Sequence, residues 1–331
     1  MSKKKYSFCD NRYRCESCKK RSSCTHPAKN FATGAIKKSV EGGMKKLMSH
    51  KLGPIVLVLL LIVGGALYFY MNRKTPIAAD ADAEFHFIDV GQGDAAMVIT
   101  SEAVVVIDCG PVSSSDVLTE YIKRYTDKID CLVISHPHED HMGGAAALIN
   151  EFEIGEIIME GYDEFEDDTP VFYDRAYDAM VEKKLYPVIA VAGESHTYGD
   201  ITLEILSPSR DYDDKNSNSI VLRAEVDGAS AIFTGDAETP AEKVILAEYR
   251  SKLNANILKV GHHGSSTSTS EEFYLAVKPD VAVISCEKDN EYGHPHRETK
   301  ALFEKHSQTY YRTDEVGSVV LVCKDGEVVK K

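Results

Sequence analysis

The chain has 331 residues, enough for one large domain and a short accessory segment, and a formal net charge of −14 at pH 7. The charge is unevenly divided: residues 1–51 carry 14 Lys and Arg against three acidic residues, a net charge of +11, which leaves −25 for the rest. An acidic domain repels phosphate polymers at long range, and this counts against a nucleic-acid substrate.

Four cysteines crowd into the first 24 residues with the spacing C-x5-C-x2-C-x5-C, and His26 follows closely. Clustered thiolates on a reducing side indicate a tetrahedral Zn²⁺ site or, with less support, an iron–sulfur centre. A palmitoylated or redox-idle cluster is an equal alternative. The four candidate ligands are Cys9, Cys15, Cys18 and Cys24.

The run from Leu52 to Met71 is apolar and uncharged, and as a helix it would reach about 30 Å, the thickness of a bilayer core. Its flanks set the orientation, since five lysines lie within residues 37–51 but only Arg73 and Lys74 follow it. We therefore predict a single transmembrane helix at 52–71 in the cell membrane. Residues 1–51 would be cytoplasmic and the rest extracytoplasmic. A buried core helix is the alternative.

Residues 72–83 are predicted to be a short tether, and residues 84–331 a single α/β domain. Short β-type runs alternate there with amphipathic helical segments. Some runs follow each other as hairpins, as across Asp227-Gly228, which favours two mixed sheets over one parallel sheet. Four further cysteines adjoin apolar strands and are predicted to be buried free thiols, namely Cys109, Cys131, Cys286 and Cys323.

The segment HPHEDHMGG at 136–144 carries the strongest chemical signal, directly after the apolar strand CLVIS. Four potential ligands fall within six residues. His136 and His138 can share one metal ion, while Asp140 and His141 bind a second ion nearby. A solvated histidine-rich loop is the alternative, but burying these groups without metal would be costly.

The pattern H-x-H-x-D-H after a strand resembles the metallo-β-lactamase superfamily, an αββα sandwich with its metals at one edge of the two sheets. The resemblance extends to the extracytoplasmic hydrolase domain of ComEC-type competence proteins, over roughly residues 84–325. The segments that carry it occur in the same order: FIDVGQGDA (87–95), NSIVL (218–222), FTGDA (233–237), LKVGHHGS (258–265) and YGHPH (292–296).

The resemblance implies two divalent ions, Zn²⁺ or Mn²⁺, bridged by Asp236. It assigns His262 as the last ligand of the second ion, although His263 is an open alternative. The residues expected to support the ligands from behind are Asp108, Asp94 and Asn218.

One departure from the family pattern concerns the third histidine of the first metal site, because residues 214–219 contain none. His196, between His141 and His262, is predicted to be surface-exposed. The first site is therefore expected to be weak, or filled by Asn or water, and to tolerate Mn²⁺ better than Zn²⁺.

A metal pair activates water for attack on phosphorus or a carbonyl. His294 and His296 are candidates to bind a phosphoryl oxygen or protonate the leaving alcohol, unless they belong to a turn that Pro295 stiffens. Lys259 and His263 could bind charge, and Asp140 counts among the catalytic residues as well as the ligands. The serines and threonines of 265–270 are expected to cap the helix that follows.

The leading hypothesis is a membrane-anchored, metal-dependent phosphodiesterase or nuclease, with DNA as the first substrate by similarity. One helix cannot form a DNA pore, so transport would need a competence-type channel partner. The alternatives are a phosphodiesterase of a small or cell-wall-linked substrate, a hydrolase of lactams, lactones or thioesters, and a non-catalytic surface receptor. The oligomeric state is not indicated.

Overall fold

The computed structural model describes residues 53–71, 73–161 and 169–331, and the chain divides into two compact units, Met1–Asn72 and Arg73–Lys331. The basic segment and the cluster of four cysteines lie outside the described residues, and so do residues 162–168.

The described part of the first unit is helix α1, Gly53–Met71, which contains no charged residue. Its helical state agrees with the apolar run in the sequence. In this helix the structure describes the side chains of residues 55–65. Within the described part of the chain, no helix is long and apolar enough to cross a membrane. The transmembrane role of Leu52–Met71 stays a prediction.

The second unit contains two mixed β-sheets. In the first, the described strands follow the order β15-β14-β1-β2-β3-β4-β5-β6, and in the second the order β13-β12-β11-β10-β9-β8-β7. The strands are β1 Ala83–Phe87, β2 Ala96–Ile99, β3 Val104–Ile107, β4 Lys128–Ile134, β5 Glu153–Met159, β6 Val188–Ile189, β7 Ser195–Tyr198, β8 Ile201–Ser207, β9 Val221–Val226, β10 Ala229–Phe233, β11 Ile257–Lys259, β12 Val281–Ile284, β13 Tyr310–Arg312, β14 Val319–Lys324 and β15 Glu327–Lys330.

Helices cover the outer face of each sheet, which gives the αββα arrangement expected from the sequence. One apolar core, containing Phe85 and Leu203, lies between the sheets, and two more lie beneath the helices. Several strands are therefore buried on both faces, which explains their nearly continuous apolar sequences. The helices are α2 Ser115–Lys123, α3 Glu139–Met142, α4 Ala145–Glu151, α5 Val171–Lys183, α6 Thr239–Tyr249, α7 Glu271–Val277, α8 Arg297–Lys305 and α9 Thr313–Val316.

Local sequence signals are confirmed at several points. Asp227 and Gly228 both have positive φ, 45° and 83°, and close the β9–β10 hairpin as the turn chemistry predicts. Ser270 caps α7 by accepting a hydrogen bond from the backbone N–H of Phe273. The four cysteines of the domain are buried free thiols, namely Cys109, Cys131, Cys286 and Cys323.

The expected tether has no helix or strand up to β1, but its described part is held against the second unit. The backbone N–H of Thr75 donates to the carbonyl of Arg124 at 2.6 Å. Ala78 donates in the same way to Glu84 Oε1 at 2.8 Å. Residues 73–82 are thus docked on the domain and do not hang free of it.

Candidate metal centre

The candidate site forms where parallel strands of both sheets end. In the first sheet, Asp108 follows β3 and Ser135 follows β4, which pairs with β3 in parallel. In the second sheet, Asp236 and the segment 261–264 follow the parallel strands β10 and β11. Carboxyl ends of parallel strands share one edge of a sheet, so the sequence motifs meet although they are far apart in the chain.

The histidine-rich loop leaves β4 and turns directly into α3. Two backbone hydrogen bonds hold it: Asp94 N–H donates to the carbonyl of Asp140 at 3.0 Å, and Cys109 N–H to that of His141 at 2.6 Å. The loop is therefore fixed by the chain segments after β1 and β3, and its side chains have a defined direction.

Four side chains of this edge converge closely enough to hold one ion. His141 Nε2 lies 3.2 Å from Asp236 Oδ1, and His263 Nε2 lies 3.1 Å from Asp140 Oδ2 and 3.7 Å from Asp236 Oδ1. The four ligand atoms all lie within 4.8 Å of one another. Bonds of about 2.1 Å to a tetrahedral ion would separate ligand atoms by about 3.4 Å, so these residues fit a divalent metal.

Unpartnered buried atoms support this fit. Nε2 of His141 and Oδ1 of Asp236 are buried and have no hydrogen-bond partner among the described residues. Leaving such groups unpaired costs about 1–3 kcal/mol each, which a bound cation would offset. The structure thus places His263, the alternative that the sequence left open, among the residues that would hold the second ion.

His136 and His138 lie on the other side of Asp236. Their Nε2 and Nδ1 atoms are 3.0 Å apart, and His136 Nε2 is 3.9 Å from Asp236 Oδ2. The two oxygens of Asp236 therefore face two groups of histidines, as a carboxylate that bridges two ions would.

Hydroxyl and carboxylate groups behind the histidines fix their tautomers. His141 Nδ1–H donates to Asp108 Oδ2 at 2.8 Å. Ser135 Oγ donates to the same oxygen at 2.8 Å, so it must accept the proton of His136 Nδ1 at 3.1 Å. Ser219 Oγ, 3.3 Å from His136 Nδ1, also accepts from the backbone N–H of Asp236. The Nδ1 contacts consequently leave both Nε2 atoms facing the candidate metal site.

His263 is supported by a backbone carbonyl and a buried ion pair. Its Nδ1–H donates to the carbonyl of Ser285 at 3.0 Å and lies 3.3 Å from Asp94 Oδ1. Asp94 Oδ2 in turn lies 2.7 Å from Lys259 Nζ. Burial alone would raise the pKa of Asp94, but Lys259 and His263 lower it to about 2. The expected supporting role of Asp94 thus agrees with its position.

Charge in the metal-free centre favours protonated imidazoles. Despite burial, the neighbouring carboxylates, Asp236 foremost, raise the pKa of His141 and raise that of His263 to about 10. The pKa of His136 is instead lowered, because burial outweighs Asp236. Metal binding at the second ion's ligands must therefore displace protons.

Several predicted residues lie elsewhere than expected. Lys259 is 3% exposed and lies behind His263, so it does not reach the cleft. Asn218 forms hydrogen bonds of 2.8 and 2.9 Å with the backbone of Tyr212 and so stabilises its own loop. Ser219, and not Asn218, lies behind the ligand His136. His196 is half-buried on β7 beside Glu156, where we expected an exposed side chain.

The two histidines of the GHPH turn also differ from each other. His294 lines the cleft, and burial, together with the neighbouring histidines, lowers its pKa to about 4. His296 accepts from the backbone N–H of Ser266 and donates to the carbonyl of Tyr292, so one nitrogen is engaged by the 265–270 segment and the other within the turn. Both histidines were predicted to contact the substrate, and of the two only His294 lines the cleft.

The cleft over the ligands encloses about 300 Å³ and adjoins a second cavity of about 460 Å³. Gln92, Glu139, Asp140 and Tyr292 line both. Carboxylates dominate the wall of the second cavity, which we call the acidic rim: Glu139, Glu287, Asp289 and Glu291.

A family model described as the metallo-beta-lactamase superfamily matches residues 88–287, which include all the ligands above. The chain belongs to the metallo-beta-lactamase superfamily. Among relatives, ComE operon protein 3 of Bacillus subtilis is 31% identical over 261 residues, covering 72% of this chain and 33% of that protein. Competence protein ComA of Neisseria gonorrhoeae is 29% identical over 276 residues, covering 82% and 36%.

This superfamily member spans about a third of the length of those curated relatives. Among solved structures, CmlA, a diiron β-hydroxylase from Streptomyces venezuelae, aligns with a TM-score of 0.51 at 12% identity, over 76% of this chain and 55% of that one. At such low identity the likeness shows the fold alone.

Proposed function

We propose that this metallo-beta-lactamase superfamily hydrolase is a phosphodiesterase that works outside the cell with two divalent ions, Zn²⁺ or Mn²⁺. The observation that carries the proposal is the convergence of buried histidines on both oxygens of Asp236, with His141 at 3.2 Å from one and His136 at 3.9 Å from the other. Ions bound there supply Lewis acidity toward a phosphoryl oxygen and acidify water.

The surrounding side chains suit an anionic group that enters the cleft. His294, with its pKa lowered to about 4, is neutral at pH 7 and can donate an N–H hydrogen bond to a phosphoryl oxygen. Tyr292 and Gln92 lie at the entrance that the two cavities share. These residues orient a substrate, and the buried networks behind the ligands keep them in place.

DNA is the first substrate we propose, because one relative that matches this chain is a competence protein, ComA of Neisseria gonorrhoeae. Helix α1 would anchor the enzyme in the cell membrane with the second unit outside, and four N-terminal cysteines would hold Zn²⁺ inside. A strand would cross through a separate channel protein, since one helix cannot form a pore.

A smaller phosphodiester is the second candidate, and the acidic rim favours it. Glu287, Asp289 and Glu291 lie beside the cleft, where a polyanion that extended beyond the cleaved bond would be repelled. A short or partly cationic substrate, such as a cell-wall-linked phosphodiester, would avoid this repulsion.

Turnover of bis(p-nitrophenyl) phosphate by the purified chain, with and without added Mn²⁺ or Zn²⁺, tests the proposal. We expect metal-dependent hydrolysis, with linear DNA as the first natural substrate to compare with short phosphodiesters. Hydrolysis of nitrocefin or a thioester, without any phosphodiester turnover, would instead place the chain among the carbonyl hydrolases. No turnover with any divalent metal would refute the enzymatic proposal and favour a receptor.

A further inference from the structure

The two carboxylate oxygens of Asp236 face different numbers of candidate metal ligands. Oδ1 faces an aspartate and two histidines, whereas Oδ2 faces His136, with His138 next to it. An ion on the Oδ2 side would have two imidazoles and one carboxylate oxygen. Residues 214–219, where the family pattern would place the histidine that completes this set, contain none.

A further imidazole faces the same oxygen. His262 Nε2 lies 3.6 Å from Asp236 Oδ2, close to the 3.9 Å that separates this oxygen from His136 Nε2. We propose that His262 is the third imidazole of the first metal site, which completes a set of three histidines and the bridging Asp236. The assignment depends on the proposed two-metal centre but not on phosphodiester chemistry.

The groups behind His262 repeat the arrangement behind His136. Thr267 Oγ1 donates to Glu238 Oε1 at 2.9 Å, so it can accept the proton of His262 Nδ1, 3.4 Å away. Glu238 Oε1 itself lies 3.3 Å from that nitrogen. A hydroxyl and a carboxylate thus hold the proton on Nδ1 and leave the Nε2 lone pair toward Asp236, as Ser135 and Asp108 do for His136.

The backbone explains how two adjacent histidines reach opposite sides of one carboxylate. His262 and His263 both have positive φ, 48° and 54°, a conformation that is strained for non-glycine residues. The turn places their rings 6.1 Å apart, with His262 toward Oδ2 and His263 toward Oδ1. Two such strained residues in succession are expected where geometry serves a site.

Asn216 is the rival ligand. Its side chain lines the cleft, and its Oδ1 is buried without a hydrogen-bond partner among the described residues. Its backbone N–H donates to Asp214, but among the described residues no hydrogen bond orients its amide as Thr267 and Glu238 orient His262. An amide ligand would leave the site to hard ions, whereas a third imidazole suits Zn²⁺ as well as Mn²⁺.

The test counts ions bound by the full-length chain, purified in detergent and stripped of metal. Mn²⁺ is the probe, because thiolates of the N-terminal cysteines favour softer ions. Equilibrium dialysis gives the number bound, and electron paramagnetic resonance shows whether two Mn²⁺ are magnetically coupled. The variants are His262→Ala, Glu238→Gln, Asn216→Ala and, as a control outside the site, His306→Ala, whose ring pairs with Glu271.

We expect the unaltered chain, His306→Ala and Asn216→Ala to bind two coupled Mn²⁺. His262→Ala should keep the ion held by Asp140, His141 and His263 and bind the ion of the first site at least about tenfold more weakly, without the coupled signal. Two coupled ions in His262→Ala, or a single ion in the unaltered chain, would overturn the assignment, and loss confined to Asn216→Ala would transfer it to the amide.

Thermal unfolding of each metal-free variant checks the fold. If His262→Ala fails to fold, Glu238→Gln decides, because the affinity of the first metal site should be about tenfold weaker if the assignment is right and unchanged if it is wrong. Normal Mn²⁺ binding without phosphodiester turnover would contradict the proposed function and leave the His262 assignment intact.

Discussion

Two buried clusters of the second unit combine histidine with carboxylate. One is the Asp236 cluster, made of His136, His138, Asp140, His141, Asp236 and His263. The other, the Glu84 cluster, lies on β1 and α2 and consists of Glu84, His86, Tyr121 and Lys331. The Glu84 cluster lies on the first sheet, whereas the Asp236 cluster combines residues that follow strands of both sheets, and each contains a fully buried histidine.

The clusters differ in whether their buried nitrogen and oxygen atoms have hydrogen-bond partners. Both nitrogens of His86 are engaged, Nδ1 with Tyr121 at 2.8 Å and Nε2 with Glu84 at 3.0 Å. In the Asp236 cluster, by contrast, His141 Nε2 and Asp236 Oδ1 have no hydrogen-bond partner among the described residues. Burial lowers the pKa of His86, whereas carboxylates raise that of His141. Unpartnered buried atoms that converge, rather than residue types, mark the metal site.

The largest expected contrast comes from removing one charge in each cluster. Asp236→Asn keeps the shape but withdraws the bridging carboxylate, and we expect phosphodiester turnover to fall by about a thousandfold or more, since metal stabilisation is worth several kcal/mol. Glu84→Gln should leave turnover within about threefold. Steady-state rates with bis(p-nitrophenyl) phosphate measure both. Equal losses in the two variants would contradict the distinction between the clusters.

The second contrast concerns pH. Carboxylates raise the pKa of His141 and raise that of His263 to about 10, so each carries a proton near neutrality and metal must displace it. Metal affinity should therefore increase with pH, by up to about a hundredfold per unit when two protons leave. Competition with a chelator at pH 6.5 and 7.5 measures this increase, and pH-independent affinity would contradict it.

Folding of the metal-free chain should respond in the opposite direction. A raised folded-state pKa stabilises below the unfolded value, about 6.5 for histidine, and this stabilisation is lost as pH rises toward the folded value of about 10 for His263. His86 has a lowered pKa, so its own contribution changes mainly below pH 6.5 and only slightly in this range. Urea unfolding with chelator present, at pH 6.5 and 8.5, separates the two effects.

Much of the fold and of the ligand set could be predicted from the sequence. The H-x-H-x-D-H loop could be predicted from its own residues and the strand before it, and the Asp227-Gly228 hairpin from its turn residues alone. The roles of His262 and His263 could not be distinguished, because they depend on two positive φ values in one turn. The burial of Lys259 depends on Asp94, 165 residues earlier in the chain, which no local pattern shows.

The third contrast concerns stability. Glu84→Gln removes the charge to which Lys331 and His86 are bound, and we expect the free energy of unfolding to fall by about 1–3 kcal/mol, equally with and without metal. Glu225→Gln, which breaks an exposed pair with Arg223, is the matched control and should cost less than about 1 kcal/mol. Urea denaturation monitored by circular dichroism gives both values, and a cost that appeared only with metal would link Glu84 to the site.

The smallest contrast separates two neighbours. Ser219 Oγ lies 3.3 Å from His136 Nδ1 and accepts from the backbone of Asp236, whereas Asn218 bonds to the backbone of Tyr212. Ser219→Ala should weaken binding of the first Mn²⁺ ion by about tenfold, as expected for a group that supports a ligand, because His136 loses one of two hydroxyl partners. Asn218→Ala should leave affinity unchanged, although it loosens its loop. If dialysis shows the opposite order, the loop that Asn218 braces, and not the hydroxyl behind His136, controls the first ion.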